Sequence, residues 1–243
     1  MQRPLYFISD VHLMLSRTNE ELDRREKLYR LLDHIASTGG TVFFVGDLFD
    51  FYYEYPDVIP KEYFKLYAKV WALKEQGIDF HFLVGNHDYW VMDFMTEKLM
   101  TYTHLSDFEF EINGKKFYIT HGDGLLSWDY GYRFLKKIIR SKLFVGLFRW
   151  IHPTVGFQIA RWVSKSGPEY DISDALTQKI RNELMNFAQL KIENGFDYIV
   201  FGHYHLGEMM DINQGKLAVL GDWFNTPRYA VFDGEQFEMK DWE

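Results

Sequence analysis

Short apolar runs alternate with longer stretches of helical spacing along most of the chain. Residues 5–9 read as a buried strand that gives way to Asp10. Over 20–35 the apolar positions Leu22, Leu28, Leu31, Leu32 and Ile35 keep a helical period, and Gly39-Gly40 stops it. The β-branched and aromatic run 41–45 is a second strand, 61–76 a helix ended by Gly77, and 80–84 a third strand. Residues 108–112 and 116–120 flank Asn113-Gly114, the signature of a type I′ hairpin. Residues 173–193 form a helix with Ser173 as N-cap and Gly195 past its end. Strands follow at 198–201 and 217–220, and a hairpin around Gly234 pairs 229–232 with 237–240. The pattern predicts an α/β protein without internal repeats or an interdomain linker.

One segment breaks this rhythm. Residues 131–168 carry eight cations (Arg133, Lys136, Lys137, Arg140, Lys142, Arg149, Arg161 and Lys165) and no carboxylate. Large apolar residues recur there at helical spacing, among them Phe134, Leu135, Ile138, Leu143, Leu147 and Trp150. This predicts an inserted helical pair, basic on one side and apolar on the other. Its apolar side is either ordinary core or a lid over the site that accepts a lipid tail and touches anionic headgroups. The absence of acids favours the lid.

The 243 residues are expected to form a single domain, 1–243, with 131–168 as a cap within it. The formal charge of −8 argues against a general polyanion binder, so no nucleic-acid partner is expected. No dedicated protein partner is predicted either. With no cysteine, disulfides, zinc–thiolate sites and cysteine nucleophiles are excluded. The first apolar run is too short for a signal peptide, and no run is long enough to span a bilayer. A cytoplasmic protein is expected.

Five short motifs each follow an apolar strand and supply metal-ligand chemistry at its carboxyl end: Ser9-Asp10-Val11-His12, Gly46-Asp47, Gly85-Asn86-His87-Asp88, His121-Gly122-Asp123 and Gly202-His203-Tyr204-His205. Carboxylate, imidazole and amide oxygen together suit Mn²⁺, Fe, Zn²⁺ or Mg²⁺. In D-x-H and H-x-H, residues two apart can turn to the same side beyond a strand and grip one ion.

In this order the motifs resemble those of the calcineurin-like metallophosphoesterases. The resemblance implies a four-layer α/β/β/α sandwich with two divalent ions, Mn²⁺ first among the candidates. It places Asp10, His12, Asp47 and His205 on one ion and Asp47, Asn86, His121 and His203 on the other. A hydroxide between the ions would attack phosphorus. It sets His87 beside the ions as a catalytic group that bonds a phosphoryl oxygen or protonates the leaving oxygen. Asp88 and Asp123 are expected to orient imidazoles.

Within the family the chain is similar to the UDP-2,3-diacylglucosamine pyrophosphatases of lipid A biosynthesis. The likeness rests on His121-Gly122-Asp123-Gly124-Leu125, Asp129-Tyr130-Gly131-Tyr132, the inserted helices and Val219-Leu220-Gly221-Asp222-Trp223. It implies cleavage of a lipid-linked nucleotide sugar to UMP and the acylated sugar 1-phosphate. It further implies a location peripheral to the inner membrane of a Gram-negative bacterium. Substrate contacts would come from Asn86, His87, Asp129, Tyr132, Ser164, Lys165 and His203. That group often has Arg where this chain has His87, so a paralogue acting on another lipid-linked or nucleoside diphosphate is the alternative.

Other residues have plainer readings. His34, His81, His104 and His152 are read as structural, Asp50 as support for the turn after Asp47, and Asp93 as a helix-start residue. Tyr52-Tyr53-Glu54-Tyr55 is either a substrate platform or loop packing. A scaffold that has lost its ligands predicts gaps in the motifs, and there are none. A nuclease predicts a continuous basic groove, whereas the strongest cation run here lies in one apolar segment.

Overall fold

The computed structural model describes residues 1–166, 173–224 and 226–243, without the side chains of 163–166. Strands β1 (Leu5–Ile8), β2 (Thr41–Val45), β3 (Asp79–Leu83) and β4 (Tyr102–His104) run parallel. Antiparallel β10 (Arg228–Phe232) and β11 (Phe237–Asp241) extend them to a six-stranded sheet in the order β11-β10-β1-β2-β3-β4. A second sheet combines β5 (Phe108–Ile112), β6 (Lys115–Thr120), β7 (Tyr198–Phe201), β8 (Glu208–Ile212) and β9 (Gly215–Val219) in the order β5-β6-β7-β9-β8.

The central strands are buried on both faces, which is why they read as continuous apolar runs. Alternate residues then serve different cores. Phe7, Phe43, Val45, Ile119, Val200 and Ala218 meet between the sheets, with the Phe7 and Phe43 rings stacked at 5.0 Å. Ile8, Val42, Phe44 and Phe80 face outward onto helices α1 (Asn19–Thr38) and α2 (Phe64–Glu75). Ile199, Phe201, Leu217 and Val219 face outward onto α6 (Asp174–Glu193). The result is the expected α/β/β/α sandwich. Thr18 and Ser173 cap α1 and α6 through Glu21 N at 3.3 Å and Leu176 N at 3.4 Å. The hairpin turn has φ of 53° at Asn113 and 71° at Gly114, as a type I′ turn requires.

One expectation needs correction. The inserted segment is three helices rather than a pair: α3 (Tyr130–Ile139), α4 (Lys142–Arg149) and α5 (Pro153–Ser166). The apolar run conceals two boundaries, because Ser141 caps α4 by accepting from Phe144 N at 3.2 Å and Pro153 opens α5. Of the two readings of its apolar side, ordinary core does not hold for α3 and α4. Neither α3 nor α4 has a buried residue, and Leu143 (73%), Trp150 (91%) and Trp162 (70%) are largely exposed. The cap is tied to the body by Tyr53 Oη–H donating to Val145 O at 2.6 Å and Trp90 Nε1–H to Ile139 O at 3.0 Å.

The tyrosine cluster resolves as loop packing. All four residues from Tyr52 to Tyr55 are buried. Glu54 accepts the N–H groups of Met92 (2.9 Å), Phe94 (2.7 Å) and Met95 (3.3 Å), satisfying the start of the turn at Phe94–Leu99. Asp93 lies at that N-cap and makes no side-chain capping bond.

Candidate metal centre

The loops after β1, β2, β3, β6 and β7 converge at one edge of the sandwich, the carboxyl end where parallel sheets present their sites. Their backbones are unusual. Asp10 (φ 52°), His12 (48°), Asp47 (51°), His203 (67°) and His205 (55°) all lie in the left-handed region. Among the described residues, only Asn113 and Asn213 of the other non-glycines share it, and both are hairpin-turn residues. Strain of this kind costs of order 1–3 kcal/mol per residue and persists where the surroundings enforce it. Gly85 makes the approach possible, since a Cβ there would lie 2.1 Å from Asp47 Oδ1.

The side chains predicted as ligands come together. Donor atoms of Asp10, His12 and His205 lie within 4.8 Å of one another, as do those of Asp47, His121 and His203, and those of His12, Asp47 and His87. Asp47 Oδ2 is 3.2 Å from His121 Nε2 and 3.9 Å from His12 Nε2, and so stands between the first two groups. Asn86 Oδ1 is 3.0 Å from His121 Nε2. His205 Nε2 is 3.1 Å from Asp10 Oδ1, and the same carboxylate receives His203 N–H at 2.9 Å.

The hydrogen bonds fix which nitrogens face inward. His121 Nδ1 donates to Val45 O at 3.0 Å, so Nε2 points at two acceptors, Asn86 Oδ1 and Asp47 Oδ2. A positive charge belongs there. Burial opposes that charge, but Asp47 overrides it and pushes His121 up to about 10. His203 goes the other way, to about 4, through burial and the neighbouring His121. Burial also works against ionisation of Asp10 and Asp47. Even so, the neighbouring imidazoles of His12 and His205 hold Asp10 below the usual carboxylate range, and the charge of His121 does the same for Asp47. His12 Nε2 is buried with no hydrogen-bond partner, 3.7 Å from Asp10 Oδ1. Buried carboxylates, inward-facing imidazole nitrogens and an orphaned donor atom fit divalent cations.

The supporting residues act differently from expectation. Asp88 orients no imidazole. Its Oδ1 accepts Gly85 N–H (2.8 Å) and Asp47 N–H (3.3 Å), and Oδ2 accepts Leu48 N–H (2.8 Å) and Phe49 N–H (3.4 Å). Burial and the Asp47 charge raise it to about 7. Asp123 likewise bonds no imidazole. It receives Tyr132 Oη–H at 2.9 Å, Lys136 Nζ at 2.8 Å and Arg140 Nη2 at 3.0 Å. Asp50 proves closer to the chemistry than a turn support: its carbonyl takes His87 Nδ1–H at 2.6 Å and its carboxylate lies 3.9 Å from His12 Nδ1. Asp222, part of the Gly221-Asp222-Trp223 motif, lies 3.8 Å from His205 Nδ1. A G-D-x-x-D spacing and a G-D-W turn were the available signals for these two.

Of the expected substrate contacts, Tyr132 reaches the site through Asp123 and its ring lies 6.1 Å from His203. Asp129 sits at the N-cap of α3 without a capping bond from its side chain. The side chains of Ser164 and Lys165 lie outside the described residues.

Residues 3–207 match the calcineurin-like phosphoesterase family, and the chain belongs to it. It is therefore a metal-dependent hydrolase by family and by donor set. The chain is 31% identical to UDP-2,3-diacylglucosamine hydrolase of Porphyromonas gingivalis over 100% of its own length and 99% of the relative's. It is 30% identical to the protein of that name from Neisseria meningitidis serogroup C, covering 92% and 91% of the two chains. The Aeromonas salmonicida counterpart is 27% identical over 95% and 90%.

Proposed function

We propose that the chain hydrolyses the pyrophosphate of UDP-2,3-diacylglucosamine, giving UMP and 2,3-diacylglucosamine 1-phosphate. The observation that carries this reading is the end-to-end match to relatives named for that hydrolysis, together with a motif set that lacks no ligand. Asp10, His12, Asp47 and His205 would hold one divalent ion and Asp47, Asn86, His121 and His203 a second. Bound there, two such ions lower the pKa of water and neutralise phosphoryl oxygens. Mn²⁺ is our first assignment, because oxygen donors mixed with imidazole suit it.

The chain's own groups do the rest. Asp88 fixes the Asp47 turn through four backbone N–H groups. His87 gives Nδ1–H to Asp50 O and its main-chain N–H to Asp47 Oδ1 at 2.9 Å, which leaves Nε2 as its working atom. Burial lowers the proton affinity of His87, but the Asp47 charge raises it above the ordinary value. Nε2 is thus the atom that would offer a proton to a phosphoryl or leaving oxygen.

The cap supplies the lipid side. Met14, Leu15, Phe51 and Ala160 line an apolar cavity of about 180 Å³ between the body and α5, beside Asp50. The exposed apolar residues of α3 and α4, fenced by Lys142 and Arg149, suit the surface of an anionic membrane. Among the described residues no helix is long and apolar enough to cross one. The reading therefore places the protein in the cytoplasm, peripheral to the inner membrane of a Gram-negative cell.

A second reading, hydrolysis of another lipid-linked or nucleoside diphosphate, is favoured by His87 alone, where that enzyme group often has Arg. The test is UMP release by purified protein with Mn²⁺ from UDP-diacylglucosamine and from UDP-N-acetylglucosamine. Release from the acylated substrate only is the expected result. Release from neither, with an artificial phosphodiester still hydrolysed, overturns the substrate assignment and leaves the hydrolase.

A further inference from the structure

Tyr132, Lys136 and Arg140, the last at the C-cap of α3, are spaced four apart, so they share one face, and all three converge on Asp123 Oδ2. Arg140 Nη2 also donates to Gly85 O at 3.0 Å, one residue before Asn86, and its guanidinium carbon lies 4.2 Å above the Tyr89 ring. Lys136 and Arg140 line a cavity of about 290 Å³ together with His121, Asp123, Leu83 and Asp107. Asp107 is itself engaged by the Tyr118 hydroxyl. Both protein hydrogen bonds of Arg140 leave from one nitrogen, so Nε and Nη1 keep donors for a ligand.

A diphosphate presents two phosphoryl groups, and the ligand cluster around Asp47 accounts for one. On hydrolysis, water adds to that phosphorus, its surplus proton passing to solvent, and the bond to the bridging oxygen breaks. The electron pair leaves on the second phosphate, whose negative charge grows. That phosphate needs cations outside the ligand cluster. We propose that Lys136 and Arg140 bind it, with Asp123 aligning both cations beside His121. The proposal rests on the diphosphate reading above and adds the residues that separate a diphosphate from a simple phosphodiester.

Lys136→Met and Arg140→Gln should each lower kcat/KM on UDP-diacylglucosamine about 100-fold, while bis(p-nitrophenyl) phosphate, which has one phosphoryl group, changes less than about threefold. Equal loss on both substrates, or no loss on the diphosphate, overturns the proposal. A second arm uses no lipid: inorganic pyrophosphate as inhibitor of the phosphodiester reaction at fixed free Mn²⁺. Its Ki should rise at least about tenfold in both variants while that of inorganic phosphate stays put. Trp90→Phe cuts a cap tie without removing a charge and should leave the pyrophosphate Ki unchanged. An equal rise there means cap placement rather than the two cations is being measured, and the proposal falls. If the wild type releases no UMP, the substrate reading fails alone and the pyrophosphate arm still decides this one.

Discussion

Asp47 stands between two groups of candidate ligands, with Oδ2 toward His121 and His12 and Oδ1 accepting the His87 N–H. Asp10 also touches both groups, but it meets the second only through the His203 main-chain N–H. Asp47→Ala should therefore abolish metal loading and hydrolysis together. Elemental analysis of the dialysed protein checks the first and turnover the second; retained loading of both ions would show that Asp47 bridges nothing. Asp88 works one layer further out. Asp88→Ala removes the acceptor of four buried N–H groups and should destabilise the metal-free protein by about 2–4 kcal/mol in urea unfolding. A change below about 0.5 kcal/mol would mean that water replaces it. At this scale the ligand types and their order could be read from the chain, because only a few residue types bind hard cations. The left-handed conformation of Asp10, His12, Asp47, His203 and His205 could not, since those residue types do not require it. The partners of Asp88 were hidden for the same reason: whether a carboxylate meets an imidazole or a run of N–H groups depends on how the turn folds.

Elements with a strong period were recovered, and the misses share a cause. The strand β4 has three residues and sits at a sheet edge, too short for an alternation to show. The strand β8, Glu208-Met209-Met210-Asp211-Ile212, has one β-branched residue and owes its conformation to pairing with β9 rather than to propensity. The cap's two internal breaks were concealed inside one apolar run. The pairing of β3 with β4 has a consequence for pH. It brings His81 Nδ1 to 3.0 Å from His104 Nε2, and His81 packs 4.5 Å from the Phe43 ring. Burial, reinforced by His104, drives His81 down to about 3, so the folded protein keeps this ring neutral. The unfolded chain binds a proton there below its ordinary value of 6.5. Between those limits the unfolded state holds more protons, and stability must rise with pH. Unfolding free energy should accordingly fall as pH is lowered from about 6.5 toward 4, and His81→Phe should flatten that slope. An unchanged slope in the variant would assign the pH dependence to other groups.

The whole molecule divides its labour between a sandwich that builds the ligand cluster and a cap that covers one side of it. The alternation of strands and helices, with the motif order, made the sandwich legible. How far the cap stands off the body was not legible, because an apolar helix face looks the same in a core as in solvent. In the structure that face is open, with Leu143 and Trp150 exposed and flanked by Lys142 and Arg149. Leu143→Asp with Trp150→Asp should weaken sedimentation with vesicles containing anionic lipid while leaving bis(p-nitrophenyl) phosphate hydrolysis unchanged. Unaltered sedimentation would move the membrane contact elsewhere. The division predicts a sharper result when 131–168 is replaced by a short Gly/Ser bridge. All seven candidate ligands lie outside that segment, on loops that follow strands of the two sheets. The cluster should survive, and the monophosphodiester should still be hydrolysed. Lys136, Arg140 and the α5 wall of the apolar cavity would be gone. Hydrolysis of the acylated nucleotide sugar should then fall to background, since neither its second phosphate nor its acyl chains keep a partner on that side. Equal loss on both substrates would mean that the cap, through Arg140 on Gly85 and Trp90 on Ile139, is needed to hold the ligand loops themselves.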